Sequence, residues 1–481
     1  MFKPVCLRYL GFLLLFLPLL GQASDLQAYQ GDSPFDLYDG EELRKSPKKV
    51  FAHYLSVFPL SIDNQPPDSD YYARHYLNPQ GEKGKHAGYG GFIRQRPLPR
   101  SPRPGVDWLE QDLKDELRLA SDIGLDGFSF NILSLSGRHW ERLETMLKVA
   151  HEQSPDFKIM LMPDMVALKN VPYEKLSEAL WSISQQSAVL KSSDGRVVIA
   201  PFNAHNKTAK FWQQLKTDFS ARGSDIFFLP TFQGWWKFID QYRSVSDGFS
   251  DWGAGSLKGA LSLNRVKAPE RVHDLTGKIW MAPVRPQDFR PRSYKYFEAG
   301  NSELFRTMWS TAIEGKADWV QLISWNDHAE GTAIRPSTKT RSAFYQLSAF
   351  YTQWFKTGVM PTIRRDAIFC FYRIHSTQVK PDLSRQLKLF DAAGEPQNEI
   401  ELLAFLARPG QLEIEIGGQI SRREAPAGIT SFKVPLRNGT PVFRVSRAGI
   451  KELELIGREP VGGGIVYQDL LYRSDYLAAP Y

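Results

Sequence analysis

Two carboxylic acids, Asp327 and Glu330, carry the strongest chemical signal in the sequence. They lie in the segment 324–332, directly after an apolar run that is typical of a buried strand. Hydrolysis of a glycosidic bond needs one protonated carboxyl to assist the leaving oxygen and one ionised carboxyl to activate water or attack the sugar. Two acids in different environments can divide these roles because their pKa values move apart. A pair of acids that stabilises a helix start is the structural alternative.

Other polar and aromatic residues also follow apolar runs, and acids, amides and aromatic rings are the groups that hold sugars. We predict that the following residues contact substrate: His53, Tyr54, Asn131, Asp164, His205, Gln233, Trp252, Trp325 and Asn326. Two of these assignments have structural alternatives. Asp164 could cap the loop that follows its strand, and each tryptophan could belong to the core.

The histidines lack the spacing of a metal site. Neither His53 nor His205 has a second histidine two residues away or a flanking glutamate, so we expect hydrogen bonding to sugar or core instead. The sequence also has no Gly-x-Ser-x-Gly nucleophile elbow and no phosphate-binding loop. We therefore predict a reaction without a metal or another cofactor.

Short apolar runs that alternate with amphipathic helices must position these side chains. We predict eight strands: Val50–Val57, Gly127–Leu133, Lys158–Met162, Arg196–Phe202, Asp225–Pro230, Gly248–Trp252, Lys278–Val284 and Asp318–Trp325. This pattern favours an α/β fold, a (β/α)8 TIM barrel over residues 49–361, whose active site lies at the carboxyl ends of the strands. An open doubly wound sheet is the alternative, but no glycine-rich dinucleotide fingerprint follows any strand.

Two regions depart from the barrel pattern. Residues 78–105 contain six Gly and five Pro, and their position after the first strand predicts a loop that covers the substrate. After residue 361 the spacing changes: Leu412, Ile414 and Ile416 alternate with glutamates, as in a half-buried strand. We predict that residues 362–481 form a small antiparallel β-sandwich, whose last strand is Ile465–Leu471.

The amino terminus predicts export. Residues 1–23 combine an early Lys3 and Arg8 with a short apolar run and small residues at the cleavage positions, as in a signal peptide, and residues 24–48 form a polar, loose lead-in. We expect a periplasmic or extracellular protein without a membrane span in the mature chain. Cleavage removes Cys6, so Cys370 is left without a disulfide partner.

Composition excludes several classes. The 481 residues are 42% hydrophobic and 23% charged, which is typical of a globular protein and not of a disordered chain. The formal charge of +7 is modest and no basic block stands out, so nucleic acid is not the expected partner. The expected partner is a polysaccharide or oligosaccharide substrate.

The segments at these strand ends resemble glycoside hydrolase family 71, the α-1,3-glucanases or mutanases. The resemblance covers residues 49–356 and rests on Val50–Tyr54, Asp107–Asn131, Asp164-Met165, Asp247–Ser250 with Trp252, and Trp325-Asn326-Asp327. That family's eighth strand ends in Trp-Asn-Asp-Tyr-Gly-Glu-Ser, whose Asp and Glu are its catalytic pair. The resemblance implies an inverting endo-α-1,3-glucanase, with Asp327 and Glu330 at the catalytic positions. We assign Glu330 as the general acid and Asp327 as the base.

Three positions of the last segment differ from that family. His328-Ala329 replaces Tyr-Gly, and Gly331 replaces Ser. The run Glu330-Gly331-Thr332 is instead similar to family 99, the endo-α-mannosidases and mannanases, whose strand ends in Trp-Asn-Glu-x-His-Glu-Gly-Thr. Family 99 implies the same two positions but retention through the 2-hydroxyl of the sugar. An endo-α-mannanase is thus the second interpretation, and a non-catalytic glycan-binding or envelope-assembly protein is the third.

Overall fold

A barrel, a three-stranded mixed sheet and two four-stranded antiparallel sheets make up the described part of the protein. The computed structural model describes residues 33–480, so the predicted signal peptide lies outside the described residues. The strands are β1 Lys49–Tyr54, β2 Gly127–Ile132, β3 Lys158–Pro163, β4 Val197–Ile199, β5 Ile226–Phe228, β6 Thr231–Phe232, β7 Gly248–Asp251, β8 Ile279–Val284, β9 Asp288–Arg290, β10 Lys295–Phe297, β11 Trp319–Leu322, β12 Ala367–Tyr372, β13 Asp391–Ala393, β14 Glu399–Leu406, β15 Gly410–Ile416, β16 Gln419–Ala425, β17 Gly428–Pro435, β18 Val442–Arg447, β19 Ile450–Ile456 and β20 Arg473–Ala478.

The longer helices cover the outside of the barrel strands, and the shorter ones lie in the connecting segments. The helices are α1 Gly40–Arg44, α2 Gly81–Gly84, α3 Trp108–Asp122, α4 Arg138–Gln153, α5 Tyr173–Ser184, α6 Ala209–Ala221, α7 Ile239–Tyr242, α8 Leu257–Ala260, α9 Leu263–Val266, α10 Ala268–Thr276, α11 Glu303–Glu314 and α12 Ala343–Thr357. In α3, for example, Leu113, Leu117 and Ala120 recur at helical spacing and are buried. No helix within residues 33–480 is long and apolar enough to cross a membrane.

The parallel sheet closes into a barrel. Its strand order is β5-β4-β3-β2-β1-β11-β8-β7-β6, and every pair in it is parallel. The two end strands, β5 and β6, are separated only by Leu229 and Pro230, so they are two halves of one barrel strand. A parallel bridge between Phe202 and Thr231 continues the pairing across this point. The predicted (β/α)8 barrel is therefore confirmed, with its predicted strands at the expected places.

The C-terminal region forms the predicted sandwich. Sheet β17-β14-β12-β20 and sheet β16-β15-β18-β19 are both antiparallel. Their facing residues share one core, which includes Ile368, Leu402, Ile414 and Phe443. Cys370 is buried in the same core, and burial raises the pKa of its thiol. The sequence predicts a last strand at 465–471, whereas β20 begins at Arg473, because Leu470 and Leu471 pack on Phe289 of β9 instead.

The lead-in is not loose over its described part, residues 33–48. Phe35 is buried against Phe350 and Phe405, and its backbone bridges Ile363. Asp36 N donates to Thr362 O at 2.9 Å. The polar composition of the segment does not predict this contact, because a single aromatic residue, Phe35, makes it. The expectation of a loose segment is corrected here.

The long segment between β1 and α3, residues 55–107, is held in place by its own packing, and we call it the fixed wall. Phe58, Tyr72 and Ile93 form a buried cluster within it. Arg96 pairs with Asp70 in a buried ion pair. Backbone bonds from Leu98 N to Pro336 O (3.3 Å) and from Thr338 N to Arg96 O (2.9 Å) tie this segment to the chain that follows β11.

Candidate active site

A cleft of about 600 Å³ opens at the carboxyl ends of the barrel strands. Parallel strands bring residues distant in sequence to this one edge, which is where barrel active sites lie. The predicted site residues that line the cleft are His53, Asn131, Asp164, Gln233, Trp252, Asp327 and Glu330. They follow or end six different strands, and the volume suits an oligosaccharide segment.

Asp327 is held by the backbone of its own turn. Its Oδ1 accepts hydrogen bonds from Ala329 N at 2.9 Å and Glu330 N at 3.0 Å. Ser324 Oγ accepts one from Asp327 N at 2.6 Å. Burial raises the pKa of Asp327, while the two N–H donors and Arg290 act in the opposite direction because they stabilise the carboxylate.

Glu330 occupies a different environment only three residues further on. Its side chain is 27% exposed, and Oε2 lies 2.8 Å from Nη2 of Arg290. Burial, followed by the negative charges of Asp327 and Asp288, raises the pKa of Glu330 to about 8, against the opposing charges of Arg290 and Arg285. The raised pKa favours the protonated form of Glu330, whereas Asp327 has the hydrogen bonds that suit an ionised acid.

Strand β9 supplies the cation beside Glu330. Arg290 Nε and Nη2 lie 2.6 and 2.7 Å from the two oxygens of Asp288. Arg285 also donates to Asp288, whose side chain is fully buried. Phe289 N donates to Glu330 O at 2.8 Å, so β9 is linked to Glu330 by backbone as well as by side chain.

His53 and Trp252 form the floor of the cleft. Their rings meet edge to face at 4.8 Å, and Trp252 also contacts Phe202. His53 Nδ1 lies 3.5 Å from Ser129 Oγ of the neighbouring strand. Burial lowers the pKa of His53 to about 3, so the ring is neutral and acts as a hydrogen-bonding group.

Asp164 both caps a turn and faces the cleft. Its Oδ1 accepts from Val166 N at 2.8 Å and Ala167 N at 3.1 Å. Thus the capping alternative and a place in the cleft are compatible. Asn131 also lines the cleft, and its Oδ1 is buried without a hydrogen-bond partner among residues 33–480, so this acceptor is available.

Aromatic side chains of the fixed wall line one side. Phe58 and Phe92 border the cleft together with Leu55 and Val57. One face of Phe92 stacks on His86 at 4.9 Å, and its edge meets Tyr76. The predicted covering loop is thus a rigid side wall that contributes apolar surface.

Four residues predicted to contact substrate do not line the cleft. Successive strand residues face opposite sides, so Tyr54 points outward from His53 and packs on Phe128 and Phe130. His205 stacks on Phe238 at 4.3 Å. Tyr54 thus lies on the helix-facing side of β1, and His205 lies in the turn after β4.

The other two are the residues directly before Asp327. Trp325 is fully buried and its Nε1 donates to Glu116 on α3. Asn326 Oδ1 accepts from Leu55 N at 2.8 Å, and its Nδ2 donates to Leu55 O and Phe58 O. Both side chains lie behind the cleft, where they fix the loops on which Asp327 and Phe58 stand.

His328 lies between the two acids in sequence but not in the cleft. Its ring is buried, meets Phe58 edge on at 5.8 Å, and has no hydrogen-bond partner within the described residues. Burial, with Arg335 and Arg96 nearby, holds the pKa of His328 well below its usual range. His328 is therefore an enclosed ring that packs beside the cleft and does not line it.

Asp288, Arg290 and Arg292 are site residues that the sequence analysis missed. Arg290 and Arg292 line the cleft. All three come within eight residues after the seventh predicted strand, 278–284, the one strand for which no terminal residue is proposed. An aspartate and three arginines within nine residues of that strand end were the signal.

A closed barrel with two carboxyls, amides and aromatic rings in one open cleft defines a carbohydrate-active hydrolase. The family model described as Glycosyl hydrolase family 71 matches residues 105–461. The chain belongs to this family, and it is a glycoside hydrolase.

Two of its relatives are named as enzymes of this kind. The chain is 23% identical over 367 residues to the glucan endo-1,3-alpha-glucosidase agn1 of Schizosaccharomyces pombe, which covers 71% of this chain and 84% of that protein. It is 24% identical over 375 residues to a mutanase of Penicillium rubens, covering 71% of this chain and 80% of that protein. Among solved structures, the GH99 endo-alpha-mannosidase of Bacteroides thetaiotaomicron matches 64% of this chain and 97% of its own, with 14% identity and a TM-score of 0.49.

Proposed function

We propose that the protein is an exported endo-α-1,3-glucanase that uses Glu330 as general acid and Asp327 as general base. The observation that carries this proposal is the unequal surroundings of the two acids in one cleft. Glu330 faces two other carboxylates and retains its proton, while Asp327 accepts two backbone hydrogen bonds. The relatives in the family, whose names give them endo-1,3-α-glucanase or mutanase activity, supply the linkage.

The catalytic cycle assigns a proton transfer to each acid. Glu330 donates its proton to the leaving glycosidic oxygen, and Asp327 takes a proton from the water that attacks the anomeric carbon on the opposite face. The bond between the anomeric carbon and the leaving oxygen breaks as the bond to water forms. Afterwards Glu330 is the carboxylate, which Arg290 stabilises at 2.8 Å.

The remaining cleft residues are proposed to bind sugars. Asn131, Asp164, Gln233 and His53 offer polar groups to hydroxyls, and Trp252 offers an aromatic surface. Phe92 adds a second aromatic surface on the side wall. Tyr54, His205, Trp325 and Asn326 take no part in substrate contact in this proposal.

A panel of polysaccharides tests the substrate. We expect the purified protein to release oligosaccharides from α-1,3-glucan and not from α-mannan, and we expect Glu330→Gln and Asp327→Asn to lower kcat by about 10²–10⁴-fold with an unchanged fold. Glu110→Gln, an exposed carboxyl of α3, serves as the control. Full activity of either site variant would overturn the assignment.

Product stereochemistry decides between the two enzyme mechanisms. Proton NMR of the first products should show inversion of the anomeric centre for the two-acid mechanism. Retention, together with cleavage of α-mannan, would favour the endo-α-mannanase interpretation. Glycan binding without product release over a long incubation would favour the non-catalytic interpretation.

Export and domain division complete the proposal. We propose that residues 1–23 are a cleaved signal peptide, that residues 49–361 form the catalytic barrel, and that residues 362–481 support it. Mass spectrometry of the secreted protein tests the cleavage site. A mature chain that still begins at Met1 would contradict it.

A further inference from the structure

We propose that Asp288 and Arg290 are positioning residues that set the pH up to which Glu330 holds its proton. Asp288 offsets the positive charge of Arg290 before the transfer, and Arg290 stabilises the Glu330 carboxylate after it. This inference rests on the assignment of Glu330 as general acid. It adds two residues of β9 to the reaction, neither of which lies near the segment 324–332 in sequence.

The geometry places one guanidinium between two carboxylates. Arg290 forms two bonds to Asp288, at 2.6 and 2.7 Å, and Nη2 also lies 2.8 Å from Glu330 Oε2. Such a two-point contact fixes the plane of the guanidinium. Arg290 also lies over the ring of Phe297 at 5.2 Å, which restricts it further. The cation therefore cannot leave Glu330 without breaking its bonds to Asp288.

Asp288 has no solvent to offset its charge. Its side chain is fully enclosed, and its two partners are Arg285 and Arg290. A buried carboxylate is costly unless it is paired, so its charge must be matched by these cations. Because Asp288 shares its single negative charge between Arg285 and Arg290, it offsets part of the positive charge that Glu330 meets in the resting state.

Four charged groups have the largest effect on Glu330. Asp327 and Asp288 disfavour its carboxylate form, and Arg290 and Arg285 favour it. Arg292, Asp164 and His53 line the same cleft, and His53 is neutral. Changing one member of the Asp288–Arg290 pair therefore shifts the proton affinity of Glu330 in a direction fixed by the charge removed.

The two single variants shift it in opposite directions. Asp288→Asn leaves the Arg290 cation unopposed beside Glu330, so the pKa of Glu330 falls and activity is lost at lower pH. Arg290→Gln removes the cation, so this pKa rises and the alkaline limit moves to higher pH. In Arg290→Gln kcat also falls, because the product carboxylate loses its partner.

The experiment is the pH profile of kcat/KM for reducing-end release from α-1,3-glucan. We expect the alkaline limb to move by about one pH unit downward in Asp288→Asn and upward in Arg290→Gln. Arg290→Lys keeps a charge and should lie close to the wild-type limb. Arg222→Gln, which removes an exposed arginine that pairs with Glu178 outside the cleft, is the matched control and should leave the limb within about 0.3 units.

The outcomes separate the inference from the proposed function. Alkaline limbs of Asp288→Asn and Arg290→Gln that coincide with wild type, or that move in the same direction, would overturn the inference while the enzyme stays active. Inactive wild type, or active Glu330→Gln, would overturn the proposed function itself. If Asp288→Asn fails to fold, the comparison of Arg290→Gln with Arg290→Lys and Arg222→Gln still decides.

Discussion

Glu116 Oε1 lies 2.8 Å from Arg335 Nη1, and neither side chain is exposed to solvent beyond 1%. The second oxygen of Glu116 accepts a hydrogen bond from Trp325 Nε1. Arg335 N also donates to Trp325 O at 3.1 Å. One carboxylate of α3 therefore holds both ends of the segment that carries Asp327 and Glu330.

Breaking this ion pair should destabilise the fold. Glu116→Gln leaves the buried cation of Arg335 unpaired, and we expect the free energy of unfolding to fall by about 3–5 kcal/mol in urea titrations. Glu110→Gln on the same helix breaks an exposed ion pair with Lys148 and should cost at most about 1 kcal/mol. Equal stability of the two variants would contradict the role of Glu116.

The raised pKa of Glu330 predicts a pH dependence of activity. Since the general acid must be protonated, kcat/KM should decline as the pH rises through about 8, the folded-state pKa of this residue. Rate measurements across this range check it. The assignment would be contradicted if a variant of Glu330 kept some activity and showed the same alkaline limb as the wild type.

The same group makes stability depend on pH. Between the ordinary pKa of 4.5 and about 8, folded Glu330 holds a proton that the unfolded chain has lost. The free energy of unfolding should therefore fall as pH rises through this window, by about 1–3 kcal/mol from this residue. Glu330→Gln should remove that part of the decline in urea titrations at acid and alkaline pH. Parallel curves for wild type and variant would contradict it.

Asp164 allows capping to be separated from substrate binding. Asp164→Asn keeps an oxygen that can accept from Val166 N and Ala167 N, so stability should change little, whereas KM should rise because the cleft loses a carboxylate. Asp164→Ala should raise KM and also lose about 1 kcal/mol of stability. Thermal unfolding and steady-state kinetics of both variants check this. An unchanged KM in Asp164→Asn would restrict the residue to capping.

Asn326 should prove structural. Asn326→Asp keeps an acceptor for Leu55 N but places a carboxylate against two carbonyl oxygens, Leu55 O and Phe58 O. We expect a loss of about 1–3 kcal/mol in unfolding free energy. Asn78→Asp is the control, because the Asn78 side chain is exposed and donates to Arg74 O; its unfolding free energy should be nearly unchanged. A fully stable Asn326→Asp would show that these bonds contribute nothing.

Much of the fold could be predicted because periodicity determines it. The apolar runs gave the barrel strands, and the alternation of Leu412, Ile414 and Ile416 gave a sandwich strand that the structure contains as β15. The last strand was misplaced since Leu470 and Leu471 are apolar for another reason, namely their contact with the β9–β10 insertion. Apolar runs identify buried residues but not what buries them.

The candidate site could be predicted where strand ends determine it. Asp164 and Asp327 lie in the cleft because they follow the carboxyl ends of the barrel strands β3 and β11. Tyr54 lies outside the cleft because neighbouring residues of a strand point to opposite faces of the sheet, and the preceding residue, His53, is the one that points into the cleft. Arg290 was missed because its place beside Glu330 depends on a short antiparallel insertion, β9–β10, that follows no repeating pattern in the sequence.

Strand β13 pairs in parallel with β10, and Arg373 of the sandwich forms a buried ion pair with Glu298, which follows β10. The region that carries Arg290 is therefore completed by chain from beyond residue 361. From Ser33 onwards the protein is one compact unit. The C-terminal sheets are consequently not a detachable module, and exchanging them between family members would require exchanging the β9–β10 insertion with them.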